Sequence, residues 1–322
     1  MGKLGVGLLA TRGYVDGKAP DYSPPGFIRH FPEGIVTMQS IDMRLRPPLS
    51  SWKDKPQFTE GPGYYPTRIG FPRPPSVKSQ SMDVLMREMD EAGTKWGVIM
   101  GRQSAPPLGL IPNDEIAAAV AQFPDRFIGF AGIDLRDIDA GVREMHRTAK
   151  LPGFKGMSIE PGSAATPMYY DDRRLYPLYE TCQTLGLPMS ITISGFIPAS
   201  VGNDLAFGSP TSVYRAAKDF PKLKIVISHG AWPAVMPIIE VAFLCENVII
   251  SPDLYMNHVD TPGAQEYIKA ARLFMPDRLL FGTAYPSRPL KESIDEFLKW
   301  DLDPVLRDKI LFGNAAKLLN LT

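Results

Sequence analysis

The 322 residues are 44% hydrophobic and 22% charged, with 35 acidic groups against 35 basic ones. That length suits one large domain, and the charge balance excludes a generic electrostatic binder of nucleic acid. No basic segment leads into a long apolar core at the start and no window approaches ~18 uninterrupted apolar residues, so neither secretion nor a membrane span is supported and a cytoplasmic setting is expected.

In chain order, residues 1–34 are Gly/Pro-rich and weakly periodic, an N-terminal extension to a domain expected over 35–322. Short β-branched apolar runs then alternate with helical patterns, which predicts parallel strands crossed over by helices. Strands are expected at Ile35–Arg46, Trp96–Met100, Phe127–Ile133, Phe154–Ile159, Pro188–Ile193, Lys224–Ser228, Val248–Ser251 and Leu279–Phe281. Between them, Met82, Leu85, Met86 and Met89 recur at helical spacing over Ser81–Ala92, and Asn113 is a candidate N-cap for a helix to Gln122. Eight strand–helix units predict a (β/α)8 TIM barrel, and no glycine-rich phosphate loop argues for a doubly wound sheet. Residues 47–79 carry eight prolines with Tyr64, Tyr65 and Phe71. They follow strand 1 at the catalytic end, where a long loop serves as a lid or subunit contact, or is a surface excursion. Cys182 and Cys245 lie in apolar helical surroundings without metal-site spacing and read as buried, inert thiols.

Six motifs in order carry a family resemblance: Glu88–Gly93, Phe123–Phe127, Gly153–Gly156, Leu175–Glu180, Phe220–Gly230 and Asp277–Gly282. From about Ile35 onward the chain resembles the amidohydrolase-2 group, which includes aminocarboxymuconate-semialdehyde decarboxylase and related decarboxylases and hydrolases. The resemblance implies a divalent metal held by an HxH pair on strand 1, histidines after strands 5 and 6, and an aspartate after strand 8. Here those positions read Arg44 and Arg46, Thr192, His229 and Ala284. One imidazole cannot supply three or four ligands and a guanidinium repels a metal, so no metal and no cofactor are expected.

Arginine clamps a carboxylate bidentately, so Arg44 and Arg46 point to a small anionic substrate; the alternative is internal pairing with Asp42, Glu160 or Asp253. His229, opening the loop after strand 6, is the natural general acid/base, against the reading of a relic histidine bonded into the barrel. Glu160 at the end of strand 4 either takes a proton or holds an arginine. Asp253 and Tyr285 are further catalytic candidates, and Thr192, Ser194, Tyr255 and Tyr64 are candidate substrate contacts. Metal-free relatives such as pyrone-dicarboxylate lactonase-like enzymes make lactone hydrolysis the leading expectation, with Arg44 and Arg46 holding the anion and His229 moving protons. A decarboxylase or other lyase is the alternative, and a non-catalytic anion-binding or scaffold protein the third reading. The family commonly forms dimers, and the proline-rich loop suits a homodimer interface.

Overall fold

A computed structural model describes residues 38–59 and 72–321. The expected extension over 1–34 and the middle of the proline-rich insertion, with Tyr64, lie outside the described residues.

Seven parallel strands run in chain order: β1 (Ser40–Leu45), β2 (Thr94–Met100), β3 (Phe127–Gly132), β4 (Phe154–Ile159), β5 (Met189–Thr192), β6 (Ile225–Ser228) and β7 (Val248–Ser251). The eighth expected strand exists as an extended segment that closes the ring. Leu280 N–H donates to Ile250 O at 2.9 Å on one side, and on the other Phe281 O and Tyr285 O each accept from β1 at 3.1 Å, from Met43 and Arg46. The architecture is the expected (β/α)8 barrel. Its strands are almost wholly buried on both faces, the pattern of a parallel sheet covered by helices.

Strand alternation splits the core in two. Val98, Met100, Ile128, Phe130, Val226 and Leu280 belong to one apolar cluster. Their neighbours Ile99, Ala131, Met157, Ile191, Ile227 and Phe281 belong to a larger one with Leu85, Met89, Ile116 and Leu178 of the covering helices. Ser81 caps the helix Met82–Glu91 by accepting from Val84 N–H. Asn113 differs from expectation. Pro112 holds the cap position, and the Asn113 amide instead exchanges hydrogen bonds with both the N–H and the carbonyl of Gly132, fastening the helix to the end of β3. Both cysteines are buried and unpaired.

Candidate active site

The C-terminal ends of the strands deliver a run of buried polar side chains to one mouth of the barrel, the position where barrel enzymes do their chemistry. Arg44 and Arg46 come from the end of β1, Glu160 from the end of β4, Thr192 from β5, His229 from β6 and Asp253 from β7, each no more than 5% exposed. Charges so deeply buried are costly unless paired, and most of them are.

Glu160 is the hub. Its Oε1 accepts Arg44 Nη2 at 3.1 Å and Arg102 Nη2 at 3.3 Å, and its Oε2 accepts Arg102 Nε at 3.0 Å and the Ser104 hydroxyl. Burial works to raise its pKa, but the two guanidiniums and the serine hold it far below the ordinary carboxylate range. A carboxylate so occupied holds arginines in place rather than exchanging protons. Arg102 and Ser104 lie just beyond β2 and escape a reading built on the family's ligand positions. The signal was available in Met100-Gly101-Arg102, which sets a cation two residues past a strand end.

Arg44 also reaches toward Asp253, with Nε 3.9 Å from Oδ2. That same oxygen accepts His229 N–H at 2.9 Å, and Oδ1 accepts the Ser251 hydroxyl at 2.7 Å. His229 Nδ1 stands 3.1 Å from Oδ2, off the line of a good hydrogen bond. Burial, then the charge of Arg44, pushes the His229 pKa down to about 4 against the pull of Asp253, so the imidazole is neutral near pH 7. Burial tends to raise Asp253, and its contacts with His229, Arg44 and Ser251 outweigh that and keep it below its ordinary value. His229 and Asp253 both adopt left-handed backbone, φ 65° and 54°. Non-glycine residues hold such angles at some cost, and the two here aim the ring and the carboxylate at each other. Gly230 permits the turn, because a Cβ there would fall 2.8 Å from the Tyr267 hydroxyl and 2.9 Å from Pro252 Cα.

The remaining candidates divide. Arg46 Nη1 donates to Ala284 O at 3.1 Å, and its guanidinium carbon lies 5.6 Å from the Trp52 ring centroid. Asp42 accepts Arg44 N–H, Thr283 N–H and the Thr283 hydroxyl, and burial raises its pKa to about 6 despite those bonds. Tyr255 stacks on Trp232 at 4.6 Å and meets His229 edge-on at 5.9 Å and Phe196 at 6.4 Å, forming an aromatic wall beside the imidazole. Tyr285 does not join the group: its hydroxyl donates to Glu88 Oε2 at 2.8 Å in the helix layer, because the side chain turns outward while its carbonyl stays inside. Ser194 is likewise turned aside, its hydroxyl on the Trp232 carbonyl at 3.4 Å. Among the described residues, Arg44 Nη1, Arg102 Nη1, Trp52 Nε1, Ser158 Oγ and Thr192 Oγ1 are buried without a hydrogen-bond partner.

Among the described residues no three His, Cys, Asp or Glu side chains converge on one point, and Arg44 at the end of β1 and Arg46 just beyond it carry guanidiniums. These residues do not fit a metal ion.

The amidohydrolase family model matches residues 41–321. The chain belongs to the amidohydrolase family. An uncharacterised TIM-barrel protein of Bordetella bronchiseptica is 38% identical, with a TM-score of 0.81 over 88% of this chain and 98% of that one. Gamma-resorcylate decarboxylase of a Polaromonas species is 26% identical over 77% of this chain and 90% of its own length. The 2-amino-3-carboxymuconate-6-semialdehyde decarboxylase of Dictyostelium discoideum is 27% identical over 77% of each. A dihydroxybenzoic acid decarboxylase from Polaromonas, solved with bound manganese and 2-nitroresorcinol, shares the fold at 22% identity and TM-score 0.66, covering 88% of this chain and 97% of that one. The characterised relatives are thus decarboxylases, and among the described residues of this amidohydrolase no helix is long and apolar enough to cross a membrane.

Proposed function

We propose that this amidohydrolase is a metal-independent decarboxylase of a small aromatic carboxylate. The observation that carries the reading is the pair of unspent donors, Arg44 Nη1 and Arg102 Nη1, buried together on Glu160, with Arg44 also acting on the neutral imidazole of His229. An anion entering there gains charge-assisted hydrogen bonds in a water-poor site, where they are strong. The wall of Phe196, Trp232 and Tyr255 suits a planar ring attached to that anion. The decarboxylase relatives favour loss of carbon dioxide over the lactone hydrolysis expected from metal-free hydrolases.

Burial first and the charge of Arg44 second depress the His229 pKa; a carboxylate bound on Arg44 offsets the second of these and favours proton uptake by the imidazole as the substrate arrives. The bond between ring carbon and carboxylate then breaks heterolytically. Carbon dioxide leaves, the electron pair stays on the ring carbon under the guanidinium N–H groups, and His229 delivers its proton to that carbon. Asp253 steadies the imidazolium while it exists. The net change is one carboxylate and one proton to one arene and one carbon dioxide.

The test is carbon dioxide release from a panel of mono- and dihydroxybenzoates with purified protein, with and without a chelator. Chelator-resistant release that disappears in His229→Ala supports the reading. Consumption of a lactone or ester from a parallel panel, without carbon dioxide, would replace it with hydrolysis.

A further inference from the structure

Trp52 stands in the first half of the proline-rich insertion, in a short turn that folds back onto the barrel mouth. It is fully buried, and the guanidinium carbons of Arg46 and Arg102 lie 5.6 Å and 5.5 Å from its ring centroid. One indole therefore serves two cations, and the negative faces of its ring attract both. Its indole N–H has no acceptor among the described residues. Indole donors that are buried normally find a partner, and Arg102, whose guanidinium carbon lies 5.5 Å from the ring centroid, also has an unpartnered nitrogen, Nη1, so two orphan donors on neighbouring side chains mark a place where an acceptor belongs.

Resting on the decarboxylase reading for its substrate, we propose that Trp52 is a substrate-binding residue whose indole N–H donates to an oxygen of the bound carboxylate alongside Arg102. The proline-rich insertion then contributes directly to recognition. Its described part supplies a donor to the site rather than lying on the surface.

The experiment measures benzoate binding by titration calorimetry, with thermal unfolding of the same preparations, for the wild type, Trp52→Phe, Trp52→Leu and Arg44→Met. Phenylalanine keeps an aromatic face for the two cations and removes only the N–H. A hydrogen bond to a charged acceptor is worth about 10-fold or more in affinity. Trp52→Phe is therefore expected to weaken benzoate binding about 10-fold while its melting temperature moves little, because the lost donor has no partner in the empty site. A purely structural indole gives the reverse, a lower melting temperature with binding unchanged, and that result overturns the proposal. Trp52→Leu, which also removes the face shared by Arg46 and Arg102, is expected to lose both affinity and stability. Equal affinity in wild type and Trp52→Phe, with binding lost in Arg44→Met, refutes the role of Trp52 and leaves the carboxylate site standing. No binding of benzoate to the wild type refutes both.

Discussion

Glu160→Gln separates a structural hub from a proton carrier more cleanly than any other single change. Glu160 is 2% exposed and accepts from Arg44 at 3.1 Å, from Arg102 at 3.0 and 3.3 Å, and from Ser104. The amide is nearly isosteric but can keep acceptors at only one position; its NH2 would face N–H or O–H donors at the other. Two buried guanidiniums would lose their principal counter-charge, and removing one partner of a buried pair costs about 3–5 kcal/mol. At about 2–4 °C per kcal/mol for a large domain, the unfolding midpoint should fall by about 6–20 °C. The assay is thermal unfolding at pH 7, followed by circular dichroism. The folded pKa of Glu160 lies below its unfolded value of 4.5, so its contribution is fully present above about pH 4.5 and is lost only as pH falls below that. A neutral-pH comparison therefore reads the whole effect. If Glu160→Gln unfolds within about 2 °C of the wild type while turnover vanishes, the hub argument fails and Glu160 is a proton carrier.

His229 and Asp42 should tilt the pH dependence of stability in opposite directions. The His229 pKa is lowered from 6.5 to about 4, so its contribution is present above pH 6.5 and lost as pH falls toward 4, worth about 3 kcal/mol in all. Asp42 is raised from 3.8 to about 6, so its contribution is present below 3.8 and lost as pH rises through 6. Melting temperatures from pH 4 to 8 should thus show Asp42→Asn gaining on the wild type as pH rises, and His229→Asn losing less than the wild type on acidification; parallel curves would contradict both assignments. Arg44→Met should raise the His229 pKa, read from the shift of its imidazole proton resonance among the four histidines of the chain. Elemental analysis should find no stoichiometric zinc or manganese, and added manganese should leave the melting temperature unchanged; a clear rise would restore a metal site. Activated esters such as p-nitrophenyl acetate should be cleaved by the protein hardly faster than by buffer at pH 7, and rapid chelator-resistant cleavage would favour the hydrolase.

Strand period and order were legible because the strands are short, apolar and buried on both faces, and the β-branched runs Ile225–Ser228 and Val248–Ser251 could be read from composition alone. The eighth strand was legible as Leu279–Phe281 although it survives as scattered bridges, because its apolar triplet still has to close the ring. Side-chain direction was less accessible. Tyr285 and Ala284 are adjacent, and only the left-handed turn at Ala284, φ 54°, decides that the tyrosine leaves the barrel for Glu88. Arg102 and Trp52 were missed for a different reason: neither stands at a family ligand position, and although Arg102 follows closely on a strand end, Trp52 sits in an insertion whose path is set by tertiary contacts rather than by periodicity. Asn113 shows the same limit, since an asparagine before a helix reads as a cap until a neighbouring strand end competes for its amide.

Guanidiniums at the positions where the family resemblance implies metal ligands favour one reaction over another. A catalytic metal holds water and lowers its pKa to ~7, which is what ester or amide hydrolysis needs. Arginine offers concentrated positive charge and directed N–H groups, but it binds no hydroxide and cannot serve as a base, with a pKa above ~12. His229, depressed to about 4, is itself a feeble base toward water. A hydrolase built on these groups would lack its nucleophile. Decarboxylation asks for other things: an anchored carboxylate, a site that tolerates negative charge on the departing carbon, and one proton delivered at the end. Arg44 and Arg102 supply the first two. On the proposed reading His229 supplies the third: burial first and the charge of Arg44 second keep it neutral and a poor base toward water, and an anion bound on Arg44 would offset the second of these, so that proton delivery waits for the substrate.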